Sequence, residues 1–517
     1  MSQRCTLGVD IGTSSSKGVL VAADGTILTS ATREHSVARP RPGWVEMDSR
    51  VWWDEFRLIS RELLESARTA GLDPEVVAIG VSGMGPCVLL TDDAGEPVRP
   101  AILYGVDTRA VAQIDRLNAE LGDDAIAVLG GSRLTSQAAG PKIAWIAENE
   151  PAAYERASRL FMPASWLAWN LTGAYVLDHH SASQCTPLYD IEAEGWFAPW
   201  AQLVAPGIEL PALLWADEVA GLVTAEAAEQ TGLPAGIPVI AGTIDAWTEA
   251  VSVGAHRNGD LMLMYGTTMF LVATVGETLR TPSMWTTSGA FRGTRSLAGG
   301  MATSGAITSW LRDLVGGDLP DGPDYPELLA EAEASGVGAR GLLLLPYFAG
   351  ERTPLLDPDA RGVLAGLTLS HTRGDLYRAA LEATAFGVRH NVETMRDAGA
   401  DIRRVVAVGG GTQGTLWTTI VSDVTGLEQH IPATTIGASF GAAFLAAKAV
   451  ATSDGDAPSI GDWNPIAEIR RPDPEVRAAY DELYGLYRAL YTDSASVAHA
   501  LAAIQQRSAV RDASVAR

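Results

Sequence analysis

At 517 residues the chain exceeds what one hydrophobic core can serve, so at least two domains are expected. With 47% hydrophobic and 19% charged residues it is globular, and a formal charge of −24 argues against nucleic acid or an anionic membrane as partner, since both want a basic stripe. Three scattered cysteines, Cys5, Cys87 and Cys185, give neither a metal-ligand spacing nor a disulfide framework, and no apolar run approaches the ~18 residues of a membrane span. A soluble, cytoplasmic protein is the expectation.

The stretch LGVDIGTSSSKGVLV, 7–21, reads as strand, tight polar turn, strand. Gly12 lets the backbone approach a bulky anion. Thr13, Ser14 and Ser15 offer hydroxyls and consecutive N–H groups that can form an anion-binding concavity, and Lys17 adds a positive charge. Asp10 would repel phosphate directly and makes sense as the partner of a hydrated magnesium ion. An ordinary hairpin with a Ser-rich turn would use the same residues, and the rest of the chain decides between the two.

A third strand follows in TILTSATREHSV, then a helix from Asp48 to about Ala70, a buried strand VVAIGVSG ending at Gly83, and a hairpin turned at Asp93 to Gly95. IPVIAGTID is an apolar strand that runs through a glycine into Asp245, with a helix after it. That leaves Asp245 at a strand-to-helix turn, where α/β proteins place ligands, although a helix N-cap uses the same residue type. The chain looks internally doubled. VVAIGVSG has a counterpart in VVAVGGGTQG at 405–414, and the opening hairpin has one in DLMLMYGTTMFLVATV at 260–275, around Gly266, Thr267 and Thr268.

Gly409, Gly410, Gly411 and Thr412 lie between a strand and a helix, where glycines serve either a flat ligand pressed on backbone or close packing. His179 and His180 beside Asp178 read as structural, because adjacent residues point apart. From Thr452 to Pro474 the chain turns linker-like. A last helix, EVRAAYDELYGLYRALY, follows, with fraying expected beyond Ser494.

With these motifs in order from about residue 7 to 448, the sequence resembles the FGGY family of carbohydrate kinases. The likeness rests on VDIGTSSSKGVL, GWVEMDSRVWWDE, LTGAYVLDHHSASQCTPLYDIEAEGW and the block GERTPLLDPDARGVLAGLTLSHTRGDLYRAALEATAFGVRHNVE. The resemblance implies an α/β fold of two actin-like, ribonuclease H-like lobes around a nucleotide and sugar cleft. The expected division is 1–256 for the sugar-binding lobe, 257–450 for the ATP-binding lobe, and 451–517 for a linker and terminal helix.

By the same resemblance, Asp245 is the catalytic base and a sugar contact, and Gly266, Thr267 and Thr268 form a second phosphate contact. The nucleoside lies on Gly409 to Thr412, ATP and Mg2+ are required, and Glu351-Arg352 bracket the cleft. Where xylulose kinases carry Gly-Gln-Met-His-Gly and Trp-Asn-Asp, this chain has Ser82-Gly83-Met84-Gly85-Pro86 and Tyr104-Gly105-Val106-Asp107. Met84, Tyr104 and Asp107 are therefore the expected sugar-side residues, with pocket wall or core as the other reading of Met84 and Tyr104. Glycerol kinases would show an Arg-Glu pair where Met84-Gly85 stands. A ketopentose such as xylulose is the first expected substrate. The alternatives are a tetritol, pentitol or sugar acid and, in another class, an actin-like ATPase that clamps a protein partner. A homodimer is compatible with the sequence.

Overall fold

Alternating apolar and polar residues take Gln3–Ile11, Ser15–Ala22 and Ile27–Glu34 into an antiparallel meander, with Ile11 opposite Ser16 at the first turn. In the computed structural model, which describes residues 3–316, 324–451 and 457–515, the chain forms two compact units. The first comprises Met1–Asn258, Thr274–Ser296 and Thr434–Pro465. The second comprises Gly259–Ala273, Leu297–Ala433 and Ile466–Arg517.

In the first unit, Pro74–Gly83 runs parallel to the opening strand, in a register that sets Asp10 opposite Ser82 and Ile11 opposite Gly83. Thr243–Ile244 pairs on its other side, with Thr243 also opposite Ser82. Pro238–Ile240 and Val219–Leu222 extend the sheet beyond that point. Both faces are covered. Helix Arg50–Thr69 buries Trp52, Phe56, Ile59 and Leu63 in the core that holds Leu7, Val9 and Ile11. Helix Ala438–Ala449 joins the other core, with Val19, Val21 and Ala78.

Three glycines allow that second helix to lie close. Gly8 and Gly80 are register partners on adjacent strands. A Cβ on Gly8 would stand 1.9 Å from the Ser439 carbonyl oxygen, and one on Gly80 would stand 1.9 Å from that of Ala442. Within the helix, a Cβ on Gly441 would stand 2.1 Å from the carbonyl oxygen of Thr248, on the helix that Asp245 opens. Backbone therefore packs on backbone, and Asp245 is held against the sheet.

The second unit repeats the plan. Asp260–Tyr265 and Met269–Val275 form an antiparallel hairpin, and Arg404–Val408 runs parallel to its first strand with Met264 opposite Val408. The order continues as Arg295–Met301, Met269–Val275, Asp260–Tyr265, Arg404–Val408, Gln429–Pro432, Ile466–Arg470. Sequence doubling and topological doubling thus coincide at 260–275 and 405–414.

Two expectations are corrected. The expected lobe 257–450 is not one block, because Thr434–Pro465 belongs to the first unit through the glycine-lined packing of Ala438–Ala449. The linker-like passage 452–474 contains structure: residues 452–456 lie outside the described residues, but Trp463 is buried and donates to the Ala23 carbonyl at 3.1 Å, and Ile466–Arg470 pairs with Gln429–Pro432. The last helix continues past Ser494, and the very end, where fraying is expected, lies outside the described residues. It runs Arg477–Val515, burying Tyr480, Tyr487, Ala498 and Ala502, and the Tyr480 hydroxyl accepts from Arg378 at 2.7 Å.

The glycine seam sets a test. Gly8→Ala must push a methyl group into a helix backbone and is expected to cost about 2–3 kcal/mol in urea unfolding. Gly485→Ala, exposed on the last helix with nothing within 4 Å of its Cβ, is expected to gain about 0.5–1 kcal/mol.

Candidate active site

The parallel register delivers three strand ends of the first unit to one edge, and acidic groups gather there. Asp10 accepts from the Ser82 hydroxyl at 2.5 Å. Asp245 is the first residue of helix Asp245–Ser252 and its carboxylate accepts from the Ala246 amide at 2.7 Å. The N-cap is Ile244, so Asp245 does not act as the cap. One turn on, Glu249 has its Oε2 against Gly437. All three side chains are only partly exposed.

Crowding shows in their proton affinities. Burial, then the Asp10 charge, pushes Asp245 up to about 7. Burial raises Asp10 to about 6, against the opposing pull of the Ser82 hydrogen bond and of Lys17, its cross-strand partner. Glu249 rises to about 8 through burial and then the charges of Asp10 and Asp245. An oxygen-only set of carboxylates lacking sufficient countercharge fits a hard divalent cation that keeps its waters. Among the described residues no three His, Cys, Asp or Glu side chains are arranged to grip a metal directly.

Beside Asp10 the chain turns through Gly12 to Ser15, closed by the Gly12 amide donating to the Ser15 carbonyl at 3.0 Å. The Thr13 hydroxyl bonds the Tyr104 hydroxyl at 3.0 Å. Tyr104 belongs to a braced loop. Its carbonyl accepts from the buried Lys142 ammonium at 3.2 Å, and the Gly105 amide donates to Gln137 at 3.0 Å. Burial pulls Lys142 down to about 8, with Asp107 opposing.

The segment Asp178-His179-His180 steadies the strand that leads to Asp245. Asp178 accepts from the Thr243 hydroxyl at 2.7 Å. His180 packs tilted against Trp247 with ring centroids 3.7 Å apart, and its Nδ1 bonds the Ser288 carbonyl at 2.7 Å. Burial drops His180 to about 3, so it stays neutral, and its place is structural.

In the second unit, the turn Gly266 to Thr268 is tied to the start of helix Gly305–Gly316. The Gly266 carbonyl accepts from the Gly305 amide at 3.1 Å and from the Ser304 hydroxyl at 3.0 Å. Thr267 is exposed. The neighbouring Gly409, at φ +95°, leaves no room for a Cβ beside the Tyr265 carbonyl oxygen at 2.5 Å, and Gly411 is closed in by Trp417 at 2.8 Å. Gly410 alone of the triplet has nothing within 4 Å, and it is exposed. Two of the glycines thus serve packing and one is open. Thr412 caps the turn, its hydroxyl donating to the Gly409 carbonyl at 2.8 Å.

Two family models cover most of the chain: the N-terminal domain of the FGGY family of carbohydrate kinases matches residues 5–252 and its C-terminal domain matches 261–450. The chain belongs to the FGGY family of carbohydrate kinases. It is 27% identical to a xylulose kinase of Staphylococcus epidermidis, over 95% of this chain and 97% of that one. It is also 31% identical to a glycerol kinase of Nocardia farcinica, over 90% and 92%. The crystal structure of xylulose kinase from Rhodospirillum rubrum superposes with a TM-score of 0.89 at 32% identity, covering 96% of this chain and 100% of that one. The fold is the mixed α/β, two-domain, actin-like fold of these kinases, and the protein is a sugar or polyol phosphotransferase.

For this FGGY kinase the structure gathers Asp10, Gly12 to Ser15, Lys17 and Asp245 in the first unit and Gly266 to Thr268 and Gly409 to Thr412 in the second. Two of the expected sugar-side residues, Asp107 and Met84, lie inside the fold, Met84 in line with its core reading. Asp107 is fully buried: both carboxylate oxygens accept from Arg109, whose Nη2 lies at 2.7 Å, and Oδ2 also takes the Val45 amide at 2.6 Å. It braces the loop. Met84 is likewise fully buried, in the core of Val9 and Ile11, and only its amide reaches the strand ends, donating to the Ile11 carbonyl at 2.7 Å. Tyr104 stays partly exposed. Sequence reasoning missed Ser82, Glu249, Gln137 and Lys142. The Asp-to-Glu spacing of four on one helix was a readable signal for Glu249.

Acids raised above their unfolded values destabilise the fold when ionised, so stability is greatest below the unfolded values of ~4, and falls from there as pH rises through the folded values of about 6 to 8. In EDTA, thermal melts should show Tm falling across that window. Asp245→Asn should flatten the fall and raise stability at pH 8 by on the order of 1–2 kcal/mol, and added Mg2+ should reduce the difference.

Proposed function

We propose that the protein catalyses ATP- and magnesium-dependent phosphorylation of a hydroxyl of a small sugar or polyol, with a ketopentose such as xylulose as first substrate. The observation that carries this reading is Asp245: a partly exposed carboxylate, free of a capping task and beside Asp10. Its raised proton affinity suits a base that works near neutral pH.

In this reading the Asp245 carboxylate accepts a hydrogen bond from the acceptor hydroxyl and aims that oxygen at the terminal phosphorus of ATP. Transfer is loose and largely dissociative, so orientation matters most and the hydroxyl proton passes to Asp245 late. In the first unit the Thr13 and Ser14 amides and Lys17 bind phosphate oxygens; in the second, taken by itself, Gly410 offers open backbone to a nucleoside and Thr267 a hydroxyl to phosphate. Asp10 with Asp245 would hold hydrated magnesium, which supplies charge neutralisation at the transferring group. Tyr104 and Gln137, polar side chains of the braced loop that remain partly exposed, would meet the acceptor.

The similarity to glycerol kinases at 31% identity favours a second reading, a shorter polyol acceptor. An ADP-release panel of ketopentoses, glycerol, tetritols, pentitols and aldonic acids with magnesium–ATP separates these. Turnover should concentrate on one acceptor class, and protein-stimulated slow hydrolysis without any acceptor requirement would contradict the proposal. Asp245→Asn should lower kcat by about 10³-fold or more with the acceptor Kd within a few-fold. Retained turnover would remove Asp245 from this role.

A further inference from the structure

The turn from Gly12 to Ser15 is gripped from behind by a side chain that none of the motifs contains. His35, directly after the strand Ile27–Glu34, bonds the turn twice. Its amide donates to the Ser14 carbonyl at 3.0 Å, and its Nε2 stands 3.0 Å from the Gly12 carbonyl oxygen. The other ring nitrogen, Nδ1, stands 2.9 Å from Glu55 Oε2 on helix Arg50–Thr69. The side chains of His35 and Glu55 are only 7% and 11% exposed, so the contact is shielded from competing water. Both ring nitrogens face oxygen, and a carbonyl can only accept. The Nε2–H therefore donates to the Gly12 carbonyl.

The consequence lies on the far side of the turn. In a trans peptide the carbonyl of one residue and the N–H of the next point in opposite directions. Drawing the Gly12 carbonyl back to His35 therefore throws the Thr13 N–H forward. Among the described residues neither the Thr13 nor the Ser14 amide donates to any protein group. A buried brace behind the turn and two unused amides within it make one device.

We infer that His35, oriented by Glu55, is a positioning residue that presets the Gly12–Ser15 turn to receive the phosphate chain of the nucleotide. It touches neither substrate. It acts by removing the conformational freedom that phosphate binding would otherwise have to remove, so its loss falls on nucleotide affinity and not on the acceptor. The inference rests on the reading of this turn as a phosphate site.

The test compares His35→Leu, His35→Gln, Glu55→Ala and Gly12→Val, each as the full chain. For each, isothermal calorimetry gives Kd for the non-hydrolysable analogue AMP-PNP with Mg2+, and steady-state assays give KM for ATP and KM for whichever of D-xylulose or glycerol turns over. Calorimetric melts give Tm. His35→Leu should weaken AMP-PNP binding and raise KM for ATP by about tenfold, the equivalent of one hydrogen bond's worth of ordering, with the acceptor KM within twofold. His35→Gln, which keeps a donor at the same reach, should recover most of the loss. Glu55→Ala should weaken AMP-PNP binding by a smaller factor, and it carries the test if His35→Leu does not fold. Unchanged AMP-PNP affinity in His35→Leu or, where that variant does not fold, in Glu55→Ala would overturn the inference, as would equal losses for nucleotide and acceptor or no recovery with Gln. If Gly12→Val, whose Cβ would crowd the Ser15 carbonyl at 2.9 Å, also leaves AMP-PNP affinity unchanged, the phosphate reading of the turn fails with it. If Gly12→Val weakens binding and His35→Leu does not, only the role of His35 falls.

Discussion

The parallel pairing of Gln3–Ile11, Pro74–Gly83 and Thr243–Ile244 is the constraint on which the first unit depends. Its register sets Asp10 and Thr243 on either side of Ser82, so the next residue after Ile244 emerges beside the first carboxylate. Slipping the opening strand by one residue would turn Asp10 to the opposite face of the sheet. The register is locked from one side by apolar packing of helix Arg50–Thr69 and from the other by a helix that reaches the sheet only because Gly8 and Gly80 carry no side chain. Fold and chemistry therefore meet in the same strands: the packing that stabilises the unit also forces acidic groups together, at a cost visible in their raised proton affinities.

The second unit uses the same plan without the carboxylates. Hairpin 260–275 and strand 404–408 reproduce the pairing of the first unit, and where Asp10 and Ser82 stood, Met264 and Val408 now stand. What replaces the acidic edge is a glycine edge. Gly409 and Gly411 are demanded by the backbone of Tyr265 and the ring of Trp417, which leaves Gly410 as open main chain. One architecture thus yields a charged edge in one copy and an uncharged, backbone-lined edge in the other.

Much of this was legible in the sequence, for a physical reason in each case. Polar turns between apolar runs announce their own geometry, so the turns at Gly12 and Gly266 and the strand-to-helix corner at Asp245 could be placed, and a repeat in sequence became a repeat in topology. Side-chain destinations were less legible. Asp107 looked like an available ligand, yet Arg109, two residues on, occupies both its oxygens, and sequence spacing does not reveal whether neighbouring charges fold together. Met84 sits at a strand end whose side chain turns into the core. The passage 452–474 has a linker's composition, but one buried Trp463 and one edge strand anchor it. His35 carried no motif at all, since its importance comes from Glu55, twenty residues away on a different element.

Carbon-detected NMR titration of the aspartate and glutamate carboxyl groups of the wild-type protein, without metal or nucleotide, tests the central claim most directly. With the strand register crowding Asp10 and Asp245 together, the Asp245 resonance should titrate well above the ordinary carboxylate range, near 7, and should drop when Asp10 is replaced by Asn. An Asp245 that titrates near 4, indifferent to Asp10, would mean that the two carboxylates do not share a site.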